Sequence, residues 1–144
     1  MVMLAPSTRH PSDATIHVVA PPVSVLVVDD LAAFRAATAS VINVVDGFMF
    51  AGEADSGERA IAFVREHPVD LVLMDVLMPG MGGIAAAEQI RHHNPGVTVI
   101  LLSVYEEKDL PHCVTAGCQF CHKERFGPDM LEALWRHRNT QSSG

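Results

Sequence analysis

Residues 69–83 decide the fold of this chain, and they read Val69-Asp70-Leu71-Val72-Leu73-Met74-Asp75-Val76-Leu77-Met78-Pro79-Gly80-Met81-Gly82-Gly83. The apolar run from Leu71 to Met74 has the length of a buried strand, and it ends at the carboxylate of Asp75. Because Pro79 and the glycines around it are typical of a turn, Asp75 is predicted at the carboxyl end of that strand. Ligands of open α/β sheets bind beyond the carboxyl ends of the strands. Asp75 is therefore the first candidate for a functional residue.

Length and composition indicate one globular domain. A chain of 144 residues can bury roughly two thirds of the surface that its unfolded form exposes. Hydrophobic residues make up 49% of the chain and charged residues 19%, which supports a well-formed core. The net charge of −7 gives no general attraction to nucleic acid or anionic membranes. We therefore expect no direct binding of nucleic acid by this chain.

The sequence also predicts the cellular location of the protein and the redox state of its cysteines. Apolar runs such as Val97 to Leu102 are far shorter than the ~20 residues that span a bilayer. The amino terminus carries no basic flank followed by an apolar block, so no export signal is recognised. We expect a cytoplasmic protein without a membrane partner. Three cysteines at close spacing suit reduced thiols better than a disulfide framework.

The chain alternates between strand-like and helix-like segments. Strands are predicted at 25–28, 48–52, 71–75, 97–102 and 118–122, and helices at 32–41, 57–66, 83–93, 109–117 and from 128 onward. Asp30 and Ser56 are predicted to cap the first two helices. Five such alternations predict a parallel sheet covered by helices. The domain is predicted at residues 23–139, after a flexible, proline-rich extension at 1–22 and before a short tail at 140–144.

Polar side chains follow four of the predicted strands. Asp29 and Asp30 come after the first, Asp75 ends the third, Ser103 ends the fourth and Lys123 ends the fifth. Carboxylates held this close repel one another unless a cation neutralises them, and Mg²⁺ prefers such oxygen ligands. Asp75 is then a candidate nucleophile toward a phosphoryl group, with Lys123 and Ser103 stabilising the phosphoryl oxygens.

With these residues in this order, the chain resembles the receiver domain of bacterial two-component response regulators. The resemblance runs from about Ser24 to Arg138. It rests on the Asp29-Asp30 pair, the segment after Asp75, Ser103 after an apolar strand, and Lys123 after an aromatic residue. It implies a flavodoxin-like, doubly wound sheet of five parallel strands in the order 2-1-3-4-5 with five helices. It further implies a signalling switch rather than an enzyme.

The resemblance also implies individual roles at the acidic end of the sheet. Asp75 corresponds to the phosphoacceptor. Asp30 corresponds to the Mg²⁺ site, to which Asp29 contributes partly through water and the residue at Leu77 contributes its backbone carbonyl. A sensor histidine kinase or a histidine phosphotransfer protein would supply the phosphoryl group.

Three further residues correspond to the switch of the family. Lys123 matches the phosphate-binding lysine, Ser103 the hydroxyl that moves to the phosphoryl group, and Phe120 the aromatic residue that rotates behind it. The output surface maps to residues 104–138, and a homodimer could form through the face between the predicted fourth and fifth helices.

Departures from the family pattern keep alternatives open. Val104 stands where the family usually has a small residue, so its side chain can crowd the site. Glu124 replaces the proline that commonly follows the lysine. The loop before Phe120 is one residue shorter than is usual in the family. A receiver that works unphosphorylated, as an interaction or dimerisation module, is the main alternative. A metal-dependent phosphatase is disfavoured, because Leu77 occupies the place of that class's second acid.

The segment Cys118-Gln119-Phe120-Cys121-His122 fits the spacing of a c-type haem attachment, and with Cys113 and His112 it could be taken for a zinc cluster. Residues three apart on a strand point to opposite faces of the sheet, so convergence on one ligand is not expected. Buried thiols are the prediction for these cysteines.

Overall fold

A computed structural model describes residues 20–110 and 118–138. Its centre is a sheet of five parallel strands in the order β2-β1-β3-β4-β5. The predicted fold class and strand order are confirmed. The strands are β1 (Val23–Val28), β2 (Phe48–Ala54), β3 (Leu71–Asp75), β4 (Thr98–Ser103) and β5 (Gln119–His122).

Four α-helices connect or follow these strands within the described residues. They are α1 (Ala32–Val44), α2 (Gly57–Glu66), α3 (Gly82–His93) and α4 (Pro128–Arg136), with 3₁₀ turns at Glu107–Asp109 and Lys123–Arg125. The predicted helix at 109–117 and the predicted extension at 1–22 lie mostly outside the described residues. Cys113 and the predicted tail at 140–144 lie wholly outside them. None of the described helices has the length and apolar character needed to cross a bilayer.

Both faces of the sheet are buried, which explains why its central strands are continuous apolar runs. One face carries Leu26, Val72 and Leu101 and forms a core with residues of α2 and α3. The opposite face packs against α1 and α4, where Ile42 and Leu131 are fully buried. The apolar runs therefore end where the sheet meets solvent at its carboxyl edge, and polar residues begin there.

The helix caps only partly follow the prediction. Ser56 caps α2 as predicted, since its Oγ accepts a hydrogen bond from Arg59 N–H at 3.1 Å. The assignment of Asp30 as the cap of α1 is wrong, because Leu31 is the N-cap residue and provides no side-chain cap. The carboxylate of Asp29 instead accepts the N–H of Leu31 at 2.9 Å. Asp30 is thereby left exposed at the sheet edge.

Candidate functional site

Strand register brings the predicted site residues to one edge of the sheet. Asp75 pairs with Leu102, so Ser103 lies one residue further along the neighbouring strand. Ser103 in turn pairs with His122, which places Lys123 directly beyond the end of β5. The site is thus assembled by the parallel register of β3, β4 and β5 rather than by proximity in sequence.

Three carboxylates meet at this edge. Oxygens of Asp29, Asp30 and Asp75 all lie within 4.8 Å of one another. Asp29 and Asp75 are buried, whereas Asp30 is exposed and open to water. An all-oxygen set with three negative charges and access to water has the chemistry that Mg²⁺ requires, because this ion keeps several waters when it binds proteins. These residues therefore fit a magnesium ion.

Lys123 lies against two of the three carboxylates. Its Nζ is 2.5 Å from Oδ2 of Asp29 and 3.4 Å from Oδ1 of Asp75. The ring of Phe34 covers the ammonium group, with Nζ at 4.3 Å from the ring centroid. The lysine side chain is only 8% exposed, so its charge acts on the acidic residues with little screening by water.

Asp75 is harder to ionise than an ordinary aspartate. Burial raises its pKa from the ordinary 3.8 to about 6, and the charge of Asp29 adds to this increase. Lys123 lowers the pKa through its charge and a hydrogen bond, while Asp30 raises it slightly. The pKa of this carboxyl group therefore lies closer to neutral pH than that of an ordinary aspartate, as is common for functional carboxylates.

Two residues of α1 that the sequence analysis did not single out support this site. Phe34 covers Lys123, and Arg35 Nη1 donates to the backbone carbonyl of Asp29 at 2.7 Å. Arg35 also pairs with Glu53 through Nε at 2.5 Å. The sequence offered one indication that these two residues support the site. They lie in the first turn of α1, which directly follows the acidic pair and therefore begins at the same edge of the sheet.

The loop after Asp75 is held from α2. Glu58 accepts the N–H of Met81 at 3.3 Å, at the start of α3. Gly83 packs so closely that a Cβ atom there would lie 1.9 Å from the carbonyl oxygen of Asp75. Gly83 is therefore required by the approach of α3 to the end of β3.

The remaining predicted residues differ in their surroundings. Ser103 is buried, and its Oγ accepts the N–H of Tyr105 at 3.0 Å. Leu77 is 51% exposed beside the acidic group. Phe120 is half-buried and packs against the core on the α2 and α3 side of the sheet. The movement predicted for Ser103 and Phe120 stays a prediction.

Exposed apolar side chains follow the same strand ends that supply the polar site residues. We define as the apolar rim the four large hydrophobic residues that follow β1, β3 and β4 and are at least half exposed: Leu31, Leu77, Val104 and Tyr105. Val104 is 60% exposed. The strand ends that supply the acidic group therefore also expose apolar side chains to solvent.

The cysteines lie apart, as predicted for buried thiols. Cys118 belongs to the core on one face of the sheet, and Cys121 to the core on the other. Both are free, and burial raises the pKa of both thiols. Neither haem attachment nor a shared zinc ion is compatible with that separation of Cys118 and Cys121.

Comparison with known proteins identifies the family. The family model described as the response regulator receiver domain matches residues 25–134. This chain belongs to that family. The receiver is 39% identical over 89 residues to response regulator UvrY of Escherichia coli, a match that covers 62% of this chain and 41% of UvrY. It thus spans about two fifths of the length of the curated relatives it matches.

Solved structures agree with this assignment. The receiver domain of NarL from Mycobacterium tuberculosis superposes with a TM-score of 0.74 at 25% identity, covering 83% of this chain and 98% of that one. The CheX–CheY–BeF₃–Mg²⁺ complex of Borrelia burgdorferi gives a TM-score of 0.68 at 28% identity, covering 81% and 89%. The receiver therefore has the fold of two-component signalling proteins.

Proposed function

We propose that this receiver accepts a phosphoryl group on Asp75 and thereby changes a protein-binding surface in two-component signalling. The observation that carries the proposal is the arrangement around Asp75. Two further carboxylates and one buried ammonium group converge on it from the ends of separate strands. Burial, together with repulsion from Asp29, raises the pKa of Asp75 to about 6, and such perturbed carboxylates are typical of functional sites.

The chemistry follows from these side chains. An oxygen of the Asp75 carboxylate attacks phosphorus, the bond from phosphorus to the leaving group breaks, and an acyl phosphate forms. The leaving group is the imidazole nitrogen of a phosphohistidine donor, which departs with the bonding electrons and takes up a proton. Lys123 turns from the carboxylates toward a phosphoryl oxygen, and the hydroxyl of Ser103 donates to another.

Asp29, Asp30 and Asp75 would hold Mg²⁺, with the backbone carbonyl of Leu77 completing the site as the family resemblance implies. The ion supplies charge stabilisation for the transferring phosphoryl group. Its binding also favours the ionised form of Asp75, which is the form that attacks phosphorus. The neighbour from Borrelia burgdorferi was solved as a complex containing BeF₃ and Mg²⁺, which supports the binding of Mg²⁺ by a chain of this fold.

The donor and the output are proteins in this proposal. The apolar rim follows the same strand ends as the acidic residues, and exposed apolar surface suits a protein partner better than a small charged phosphate ester. A sensor histidine kinase or histidine phosphotransfer protein presents its phosphohistidine there. Phosphorylation adds about −1.5 to −2 charges at neutral pH, by analogy with other phosphorylated side chains, and favours a second conformation of the surface within residues 104–138.

Phosphorylation by a small phosphodonor tests the proposal. The receiver is incubated with phosphoramidate and Mg²⁺, and intact-mass spectra are recorded. We expect one phosphoryl adduct that is labile in acid and base, is lost in Asp75→Asn, and persists in Asp46→Asn, which removes an exposed carboxylate elsewhere. Absence of the adduct from the wild-type protein would refute the proposal. Partner binding that is unchanged by Asp75→Asn would then support a phosphorylation-independent interaction module.

A further inference from the structure

His122 joins the two segments that carry the proposed switch. It is the last residue of β5, directly before Lys123, and it pairs in register with Ser103 on β4. Its side chain is 8% exposed. A buried imidazole at this junction is not used by the phosphoryl chemistry proposed above, so its contacts call for an explanation.

Two hydrogen bonds define the state of the ring. Nδ1 accepts the backbone N–H of Glu124 at 3.1 Å, which requires a lone pair on that nitrogen. Nε2 lies 2.8 Å from the carbonyl oxygen of Val104 and must therefore carry the hydrogen that it donates. The network thus assigns the neutral imidazole with its hydrogen on Nε2.

These bonds fix the backbone on both sides of the proposed phosphoryl site. Val104 follows Ser103, whose Oγ accepts the N–H of Tyr105 at 3.0 Å. The segment from Ser103 to Tyr105 is therefore held by its own turn and by His122. On the other side, the bond to Glu124 N–H caps the 3₁₀ turn that begins at Lys123.

Two carboxylates lie near the ring, one beside each nitrogen. Oε2 of Glu106 is 3.7 Å from Nε2, and Oε1 of Glu124 is 3.9 Å from Nδ1. Arg125 lies 3.5 Å from Glu106 and offsets part of its charge. Glu106 belongs to the loop after β4, so its contact with Arg125 adds a second link between that loop and the segment after β5.

We propose that His122 is a positioning residue that holds the segment from Ser103 to Tyr105 in its unphosphorylated conformation. This inference rests on the proposed function. A shift of the backbone from Ser103 to Tyr105 toward a phosphoryl group would lengthen or break the bond from His122 to the Val104 carbonyl. The strength of that bond then sets the balance between the two conformations of the receiver.

Substitution of His122 tests this role through binding of BeF₃⁻ with Mg²⁺, which stands in for the phosphoryl group. His122→Leu removes the donor, whereas the amide of His122→Gln can still donate to the Val104 carbonyl. One neutral hydrogen bond corresponds to a roughly two- to tenfold change in an equilibrium. We therefore expect BeF₃⁻ to bind His122→Leu about two- to tenfold more tightly than wild type, and His122→Gln to bind it like wild type.

Two readouts separate this role from a merely structural one. In ¹⁵N spectra of the imidazole, saturation with BeF₃⁻ and Mg²⁺ should shift the His122 Nε2 signal of the wild-type protein. Urea unfolding should show that His122→Leu destabilises the free protein more than the BeF₃⁻-bound protein. An unshifted imidazole signal, or equal or weaker binding of BeF₃⁻ to His122→Leu, would overturn the inference.

Failure of the proposed function gives a different result. If wild-type protein does not bind BeF₃⁻ with Mg²⁺, or if Asp75→Asn binds it equally well, Asp75 is not the acceptor. If wild type binds and Asp75→Asn does not, while His122→Leu binds like wild type, only the role of His122 is refuted. His122→Gln and the imidazole spectra decide the matter if the leucine variant does not fold.

Discussion

The ammonium group of Lys123 lies closer to Asp29, at 2.5 Å, than to Asp75, at 3.4 Å. Lys123 therefore neutralises an acidic residue of the proposed magnesium site more directly than it neutralises the proposed phosphoacceptor. We expect Mg²⁺ and Lys123 to compete for this negative charge. Release of Lys123 from Asp29 would make its ammonium group available for a phosphoryl oxygen.

Replacing Lys123 with methionine tests this competition. Removal of one partner of a buried ion pair destabilises a protein by about 3–5 kcal/mol. We expect Lys123→Met to lose about 3 kcal/mol of unfolding free energy without Mg²⁺, because some of the repulsion is relieved when Asp75 takes up a proton. Mg²⁺ should bind the variant more tightly and restore most of the loss. Urea unfolding with and without saturating Mg²⁺ measures both effects.

Lys108→Met is a matched control, since Lys108 is exposed on the loop after β4. It should leave both the unfolding free energy and its response to Mg²⁺ unchanged within about 0.5 kcal/mol. If Lys123→Met were as stable as wild type without Mg²⁺, its pairing with Asp29 would carry no net stabilisation.

The raised pKa of Asp75 gives the metal-free protein a definite pH dependence. A pKa of about 6 in the folded state, against 3.8 ordinarily, means that the folded protein takes up this proton first as pH falls. The ionised carboxylate therefore destabilises the fold above pH 6, and this cost disappears as pH falls from about 6 to about 4. A shift of about two units corresponds to at most about 3 kcal/mol.

Asp75→Asn should accordingly be more stable than wild type above pH 6 without Mg²⁺, by about 1–3 kcal/mol. The difference should shrink as pH falls toward 4, where wild-type Asp75 is protonated in the folded protein. Urea unfolding across this pH range measures it. A difference independent of pH would show that the charge of Asp75 is not the cause. Saturating Mg²⁺ should reduce the advantage of the variant, because only wild type keeps all three carboxylates.

The sequence predicted where the site residues at the carboxyl ends of the strands lie. Apolar runs stop at Asp75 and before Ser103, and parallel strands bring such ends to one edge, so their neighbourhood followed from pattern alone. Contacts that depend on how a helix is rotated did not follow. Phe34 covers Lys123 only because the first turn of α1 faces the sheet edge, and helical spacing leaves that rotation open.

The assignment of Asp30 as a helix cap failed for a related reason. Two adjacent aspartates are equivalent as caps in a sequence pattern, but only Asp29 places its carboxylate near the N–H of Leu31. Similarly, nothing in the residue order indicated that Lys123 would lie nearer to Asp29 than to Asp75. Both contacts depend on side-chain positions that differ by a few ångströms. The periodicity of a sequence predicts which face of a helix or strand a residue lies on, but not side-chain positions at that scale.

Val104 is expected to slow phosphorylation by small donors. Its branched side chain is 60% exposed at the edge of the site, where the family usually has a small residue. If it adds about 1 kcal/mol to the barrier, Val104→Ala accelerates the reaction roughly fivefold. Val44→Ala is the matched control, because Val44 is 71% exposed at the remote end of α1. Rates of adduct formation with phosphoramidate measure the effect, and equal rates for both variants would exclude steric crowding.

Gly83 is expected to tolerate no side chain. A Cβ at this position would lie 1.9 Å from the Asp75 carbonyl oxygen, which is backbone and cannot rotate away. Gly83→Ala must therefore displace either α3 or the end of β3, at a cost of about 3 kcal/mol, the upper end of ordinary overpacking. Because the end of β3 carries Asp75, Mg²⁺ affinity should fall along with the unfolding free energy. Urea unfolding and calorimetric titration with Mg²⁺ measure the two effects.

Gly96→Ala is the control for that substitution. Gly96 does not adopt a left-handed conformation, and a Cβ there meets nothing within 4 Å. Its replacement should leave Mg²⁺ affinity unchanged and alter stability by less than about 1 kcal/mol. If Gly83→Ala lowered stability but left Mg²⁺ affinity intact, α3 would have moved and β3 would not. The close contact would then serve helix packing alone, and Asp75 would be positioned by its strand partners.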